Sequence, residues 1–425
     1  MKDISAILIH YSDQAALSKA LASLEPVCSR LNAVIVFQQS EIASKQVPDV
    51  GWSDWILSVP IENQDEGEIV RETINMIDTA YVLLLSGTDY LSASITPHSL
   101  QLTGDKVILE TFAYNWGNPI RKPLLVRTPF LKQHPLLLSS ELPFKDALLP
   151  AWLSTVQSYR KVSQENLVKQ TRKTSSKNTI KRQKFIKKYQ LEKADTDHPS
   201  LSIIMAAYNM EKYVETAVTS CLMQNEQAEQ LLIMDDGSTD NTRQRLKRYS
   251  DNPRVQVFSK KNGGKARALN AVLPHVTSGF VLELDADDWL DPDAVSVIKK
   301  QLADLSADGS VLYGNLRKWK QLKDDVQYKG LAKGTSIAGR KDLLSYRFPL
   351  GPRVYRTSSL KKEGGFPVID FADGRLYEDV SVLNRLLKKG AFQYWDFTVY
   401  NVREHKESIT KQNLASWHDF LKSLE

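Results

Sequence analysis

The stretch Phe280–Leu290 reads FVLELDADDWL, and the fold follows from the difference between its two ends. Phe280, Val281, Leu282 and Leu284 make an apolar run of strand length. Asp285, Asp287 and Asp288 then crowd three carboxylates into four positions. Asp291-Pro292 reads as a helix start, with a side-chain acceptor at the cap and proline in the first turn. Val295, Ile298 and Leu302 continue close to helical spacing. The carboxylates are therefore expected at the C-terminal end of a buried strand, the edge at which open α/β sheets bind ligands. Clustered carboxylates repel one another, and a hard divalent cation shared with substrate phosphates relieves the repulsion. An isolated acidic triplet equally suits a solvated turn, so the rest of the chain has to decide.

The 425-residue chain is 42 % hydrophobic and 25 % charged, which suits two or three globular domains. It holds no apolar run near the ~20 residues that span a bilayer. The N-terminal MKDISAILIHYSD lacks a long apolar region and a small-residue cleavage site. A cytoplasmic protein is expected, with peripheral contact at the inner face of the membrane as a variant. Cys28 and Cys221 lie among apolar residues and read as buried free thiols. The net charge of +6 is uneven: residues 160–193 carry 12 Lys/Arg and two acids, or +10, leaving −4 for the remainder.

Residues 1–155 alternate strand-like runs (Ile4–Ile9, Ala33–Phe37, Tyr81–Leu85) with a helical stripe at Ala16, Leu17, Ala20, Leu21 and Leu24. That alternation implies a largely parallel sheet with helices on its faces. Residues 156–197 are polar and basic and read as a linker, with Phe185, Ile186 and Tyr189 as one narrow apolar spot. A solvated connector is the preferred reading; contact of 160–193 with anionic lipid or a polyanionic acceptor is the alternative. Nucleic acid is disfavoured, because no aromatic recognition motif accompanies the charge. From His198 the strand–helix alternation restarts, with strands at Leu201–Ala206 and Leu231–Met234.

The two halves match each other. LSIIMAAYN from Leu201 matches ISAILIHYS from Ile4, LLIMDDGS from Leu231 matches AVIVFQQS from Ala33, and FVLELDADDWL matches YVLLLSGTDYL from Tyr81. The offsets are 197, 198 and 199. RVYRTSSLKK from Arg353 and LYEDVSVLNRLL from Leu376 match LLVRTPFLKQ from Leu124 and PFKDALLPAWLS from Pro143 at offsets of 229 and 233. Five matches in one order suggest a duplication, with about 30 residues inserted near 320–350 of the second half.

The second half holds the chemistry. DDGSTDNT places Asp235 and Asp236 after a strand, where a carboxylate can accept from a ribose hydroxyl or a base N–H, or simply end the strand. KNGGKARALN, Lys261–Asn270, sets two glycines before a helix, and its N–H groups with Lys265 and Arg267 suit a diphosphate. Glu378 and Asp379 open a helical run carrying Val380, Leu383 and Leu387; the pair complements the helix dipole or supplies a general base. His405 follows a strand-like Phe397–Val402 and is either structural or a metal or phosphate ligand.

In combination, these motifs over roughly 198–410 resemble the family-2 inverting glycosyltransferases of the GT-A fold, a Rossmann-like mixed, mostly parallel sheet flanked by helices. The resemblance implies nucleotide binding by Ala206, Tyr208, Asn209, Asp236, Lys265, Arg267, Asp285 and Ala286, with Tyr208 stacking on the base. It implies a Mg²⁺ or Mn²⁺ ion on Asp287 and His405, Asp379 as catalytic base, and Trp289 and Glu378 on the acceptor side. His405 and Ser408 resemble the closing H-x-x-S of the family. The implied donor is a nucleoside-diphosphate sugar, a pyrimidine nucleotide being favoured. The implied acceptor is a hydroxyl on a glycan or lipid-linked glycan, in bacterial surface polysaccharide synthesis. A homo-oligomer is compatible with this reading.

In the first half Ser86 and Thr88 stand for Asp285 and Asp287, Phe37 and Gln38 replace the two acids of DDGS, and Asp146 survives at the base position. The expected organisation is a degenerate GT-A-like domain at 1–155, a basic linker at 156–197 and a catalytic domain at 198–425. The alternatives are a non-catalytic sugar-nucleotide or glycan-binding protein, which the intact acids oppose, and a nucleotidyltransferase, which would not need an acid placed like Asp379.

Overall fold

The computed structural model describes residues 2–39, 53–61, 66–113, 119–136, 141–171, 176–194, 198–323, 325–345, 350–406 and 417–423. Ser408 lies outside them. The chain divides into two units, Met1–Gln190 and Leu191–Glu425. Among the described residues no helix is long and apolar enough to cross a membrane.

In the first unit, Ile4–Ile9 (β1) is apolar except for Ser5 and buried on both faces, as a central parallel strand must be. Leu31–Gln39 (β2) and Tyr81–Ser86 (β4) flank it in parallel, and Ile56–Ile61 (β3) lies outside β2. Asp89–Leu91 (β5) leaves this sheet to pair later with Val168–Gln170 (β9). Beyond β4 the sheet continues through Ile120–Arg127 (β7), Ile108–Ala113 (β6) and Lys161–Glu165 (β8), in the order β3-β2-β1-β4-β7-β6-β8.

The second unit repeats this order. Leu201–Ala207 (β10) is central, Gln230–Asp235 (β11) and Val255–Ser259 (β12) lie on one side, and Phe280–Glu283 (β13) lies on the other. Trp289–Leu290 (β14), Gly309–Gln321 (β15), Val326–Ala332 (β16), Arg353–Arg356 (β17) and Ala391–Glu404 (β18) complete a sheet ordered β12-β11-β10-β13-β17-β15-β18-β14, with β16 on β15. Thus β13 takes the place of β4, both pair antiparallel with the next strand, and Leu201 aligns with Phe280 as Ile4 aligns with Tyr81. Even a connecting bond recurs: Thr128 N donates to Ala80 O, and Thr357 N donates to Gly279 O, each at 3.0 Å. The inserted residues of the second unit form β16 and the short helix Arg340–Leu344.

Two sequence expectations are corrected here. Residues 156–197 are not a connector throughout. β8 pairs with β6, β9 with β5, and Lys177–Lys188 is a helix within the first unit. The apolar spot is its docking side: Phe185 and Ile186 are buried, and the Phe185 ring meets Phe144 edge-on at 5.1 Å. The composition misled because the helix keeps its polar side so basic. Asp291 is not a helix cap either. The helix Ala294–Ala303 starts after Asp293, and the buried Asp291 carboxylate pairs with Arg317 at 2.6 Å and accepts from Asn401 at 2.8 Å. Of the two thiols, Cys221 is buried, and burial pushes its pKa up to about 12; Cys28 is half-exposed.

Removal of the Phe185 ring tests the folded status of this segment. Phe185→Ala should cost about 3 kcal/mol of stability in denaturant unfolding of the full chain. A change below about 0.5 kcal/mol would return the segment to a solvated connector.

Candidate active site

Parallel β10, β11 and β13 bring their C-terminal ends to one edge. At the first of these ends Tyr208 is 44 % exposed, and Asn209 adopts a left-handed φ of 54°. The Asn209 Oδ1 accepts from Thr239 N at 2.8 Å, and Ser238 Oγ accepts from Asn209 N at 3.0 Å, so the β10 exit and the DDGST turn are stitched together. Gly237 closes that turn at φ +74°, where an added Cβ would fall 2.6 Å from Asn262 N; a side chain there would clash with the backbone. Asp236 is buried. It accepts from Lys260 Nζ at 2.8 Å, Gly263 N at 3.0 Å and Gly264 N at 2.7 Å, and so pins the glycine loop to the turn.

The loop's cations do not stand open. Lys265 begins the helix Lys265–Val272 and points into acids: Glu283 at 2.8 Å, Asp285 at 2.5 Å and Glu378 at 3.4 Å. Arg267 turns to Asp373 at 3.2 Å. Arg353, on β17, is the second cation and is buried. It bonds Glu283 at 2.8 and 3.0 Å and lies 3.5 Å from both Asp285 and Asp379. Tyr355 donates its hydroxyl to Glu283 at 2.9 Å. Burial would raise the Glu283 pKa, but Arg353 and Lys265 outweigh it and hold the carboxyl well below the carboxylate range. Glu378 goes the other way: burial, with Asp379 and Glu283 nearby, lifts it to about 7 despite Lys265. The residue before it, Tyr377, is left-handed at φ 58°, and its ring stacks on Phe420 at 4.4 Å. That strained turn opens the Glu378–Leu386 helix, whose first turn presents Glu378 and Asp379.

On the other side of the acidic turn, β18 alternates its side chains. Asn401, Arg403 and His405 follow at every second position, the last just past the strand end. Asn401 donates to Trp289 O at 3.2 Å, Arg403 Nε to Asp287 O at 2.7 Å, and Arg403 N to the Asp288 carboxylate at 2.7 Å. His405 Nε2 lies 2.9 Å from Asp287 Oδ2. Burial, then Asp287 and Asp285, push the Asp288 carboxyl well above its usual range, so it serves the turn from inside. Asp287 and His405 give one oxygen and one nitrogen donor side by side. Among the described residues no three His, Cys, Asp or Glu side chains cluster as a complete metal cage. One carboxylate and one imidazole are a donor set that fits a Mg²⁺ or Mn²⁺ ion with open positions.

The structure thus brings together Asp285, Lys265, Glu378 and Asp379, and separately Asp287 and His405. Ala206 is half-buried at the β10 end, and Ala286 is buried within the acidic turn. Trp289 is a correction. Its ring is fully buried, 5.9 Å from Trp319 and 4.8 Å beneath the Arg403 guanidinium, so it cannot face an acceptor. Sequence reading missed Glu283, Arg353, Tyr355 and Arg403. Glu283 did leave a signal, a lone charge inside an apolar strand.

The corresponding edge of the first unit carries reversed charges. Glu66 begins the helix Glu66–Met76, as Lys265 begins its own, and Lys145 matches Glu378. Glu66 meets Lys145 at 3.2 Å and His10 at 3.0 Å. Burial would raise its pKa, but His10 and Lys145 bring it down to about 2. Leu84 and Leu124, both buried, replace the Glu283–Arg353 pair. Asp89 is satisfied internally by Lys122 and Gln170, each at 2.9 Å. Asp146 pairs with Arg182 at 3.0 Å.

The family comparison agrees with this geometry. The repeated sheet, with carboxylates at its strand ends, defines a GT-A-type α/β transferase fold. Residues 202–361 match the family model "Glycosyl transferase family 2", so this chain carries a domain of that family. It is 42 % identical over 104 residues to a chondroitin synthase of Pasteurella multocida (strain Pm70), a match covering 24 % of this chain and 11 % of that protein. It is 31 % identical over 169 residues to an uncharacterized glycosyltransferase of Haemophilus influenzae, covering 36 % and 66 %. It is also 32 % identical over 118 residues to the Escherichia coli UDP-Glc:alpha-D-GlcNAc-diphosphoundecaprenol beta-1,3-glucosyltransferase WfgD, covering 27 % and 45 %. Among solved structures, S. aureus TarS 1–349 in complex with UDP-GlcNAc aligns at TM-score 0.41 and 20 % identity, over 53 % of this chain and 64 % of that one.

Two outcomes test the site. Glu66→Lys or Lys145→Glu alone should destabilise the full chain by about 1–2 kcal/mol, and the double reversal should lose less than the sum of the two, the Glu66–His10 contact remaining lost. Additive losses would mean that the two residues do not act as a pair. The second outcome concerns pH. Glu378 keeps its proton to about pH 7 in the fold, against an ordinary 4.5, so folding takes up a proton between those values. Its contribution is present below 4.5 and is lost as pH rises through 7. Wild-type stability relative to Glu378→Gln should therefore fall across that window by on the order of 2 kcal/mol. Parallel stability–pH curves would disprove the raised carboxyl.

Proposed function

We propose that residues 198–425 transfer a glycosyl group from a nucleoside-diphosphate sugar to a hydroxyl on a glycan or lipid-linked glycan, inverting the anomeric centre. The observation that carries this reading is Arg353, whose guanidinium lies 3.5 Å from Asp285 and 3.5 Å from Asp379. One buried cation thereby holds a donor-side carboxylate and the candidate base within reach of a single substrate. The relatives' names support the same class: one makes chondroitin, and another carries UDP-Glc in its name. A UDP-sugar is the favoured donor, and surface polysaccharide assembly the favoured setting.

The exposed ring of Tyr208 offers a stacking face to the base, and the stitched Asn209–Thr239 turn holds that face in place. Asp287 and His405 would hold the divalent ion, which supplies charge neutralisation for the departing diphosphate when bound. Asp379 takes the proton of the acceptor hydroxyl as that oxygen bonds to the anomeric carbon. The bond from that carbon to the diphosphate oxygen breaks, and its electron pair leaves with the nucleoside diphosphate. Arg353 keeps Asp379 oriented, and Glu283 keeps Arg353 in place. The first unit is a degenerate copy in this reading, serving packing, dimerisation or acceptor binding. Its Glu66, at the head of the helix that matches Lys265–Val272, would repel a diphosphate there.

Asp379→Asn should bind UDP with Mn²⁺ as the wild type does, while UDP release from UDP-sugars in the presence of acceptor falls by about 10²–10⁴-fold. The amide keeps the shape but takes no proton. Turnover within about threefold of wild type would place the base elsewhere.

A further inference from the structure

The helix Lys177–Lys188 is built to present one face outward. Ser176 caps it, accepting from Thr179 N at 3.1 Å. Phe185 and Ile186 are each 2 % exposed and fix the opposite face. Arg182 lies 4.9 Å over the Phe144 ring and pairs with Asp146, so this cation is spent on docking. The helix has six Lys/Arg and no acid within its 12 residues. Its exposed positions are Lys177, Ile180 and Lys184, spaced by three and four residues and so forming one stripe, which half-buried Lys187 and Lys188 continue. Ile180 is 43 % exposed in the middle of these lysines.

We propose that this stripe is a docking surface for an anionic lipid bilayer. The charge matches a negatively charged headgroup layer, and lysine stems let the ammonium groups stay in that layer while an apolar side chain between them enters the acyl boundary. Ile180 decides between partners. A soluble polyanion satisfies the lysines but offers an isoleucine no apolar phase. The rest of the chain outside residues 160–193 carries −4, so this region is the part that such a surface attracts. The surface is independent of the transfer reaction and stands or falls separately from it.

The test is co-sedimentation of the full chain with vesicles of phosphatidylglycerol and phosphatidylcholine, set against pure phosphatidylcholine. Binding is expected to the anionic vesicles only and to fall steeply with added salt. Each lysine removed should weaken it about fivefold, so Lys177→Gln, Lys184→Gln and Lys187→Gln combined should weaken it about a hundredfold. Ile180→Ser should weaken vesicle binding several-fold at unchanged charge, and Lys300→Gln, on another helix, should not. Circular dichroism keeps the variants comparable. Absence of binding to anionic vesicles at low salt overturns the proposal, as does binding that survives the triple substitution. Binding that Ile180→Ser leaves intact overturns the insertion of Ile180 into the acyl boundary.

Discussion

The second unit depends on a carboxylate buried between two cations. Glu283 sits on a central strand and receives Lys265 from one helix and Arg353 from the neighbouring strand. Taking such charges out of water costs several kcal/mol per ion, and the cost is met only if each finds close partners. Here every partner is shared. Lys265 continues to Asp285 and Glu378, and Arg353 to Asp285 and Asp379. Removing Glu283 would leave Arg353 and Lys265 to redistribute themselves over Asp285, Glu378 and Asp379. The position of the candidate base is therefore set from the strand, through a guanidinium, rather than by its own short helix.

A second support comes from β18. Because side chains alternate along a strand, Asn401, Arg403 and His405 face the acidic turn together. They fix the Trp289 carbonyl, the Asp287 carbonyl and the Asp287 carboxylate in that order. Of the turn's three acids, Asp288 is buried, which pushes its carboxyl well above the usual range, and it accepts from the β18 backbone. The other two acids differ in partners: Asp285 faces cations, Asp287 faces an imidazole.

The first unit shows what the same sheet does without those charges. Leucines occupy the places of Glu283 and Arg353, and the remaining ion pair has changed sign at both ends. A carboxylate and an ammonium that exchange places keep their attraction while reversing the field they offer a ligand. The fold persists because it rests on the strand order and the apolar core, neither of which needs the site.

Much of this was legible in the sequence. Apolar runs ending in acids gave the strands, near-constant offsets gave the repeated strand order, and the motif order gave the family. The inserted hairpin was visible as a jump in offset. What the sequence could not supply was partnership across distance. Asp291 reads as a helix cap locally, but an arginine 26 residues away claims it. Trp289 reads as an acceptor wall, but strand pairing turns it into the core. The 160–193 segment reads as a connector because its composition is averaged over all its side chains, while folding sorts them, aromatic side inward and lysines outward. Local pattern determines which elements form. Only the tertiary structure decides which charges are neutralised, because the attraction depends on separation in space and burial, and neither follows from position along the chain.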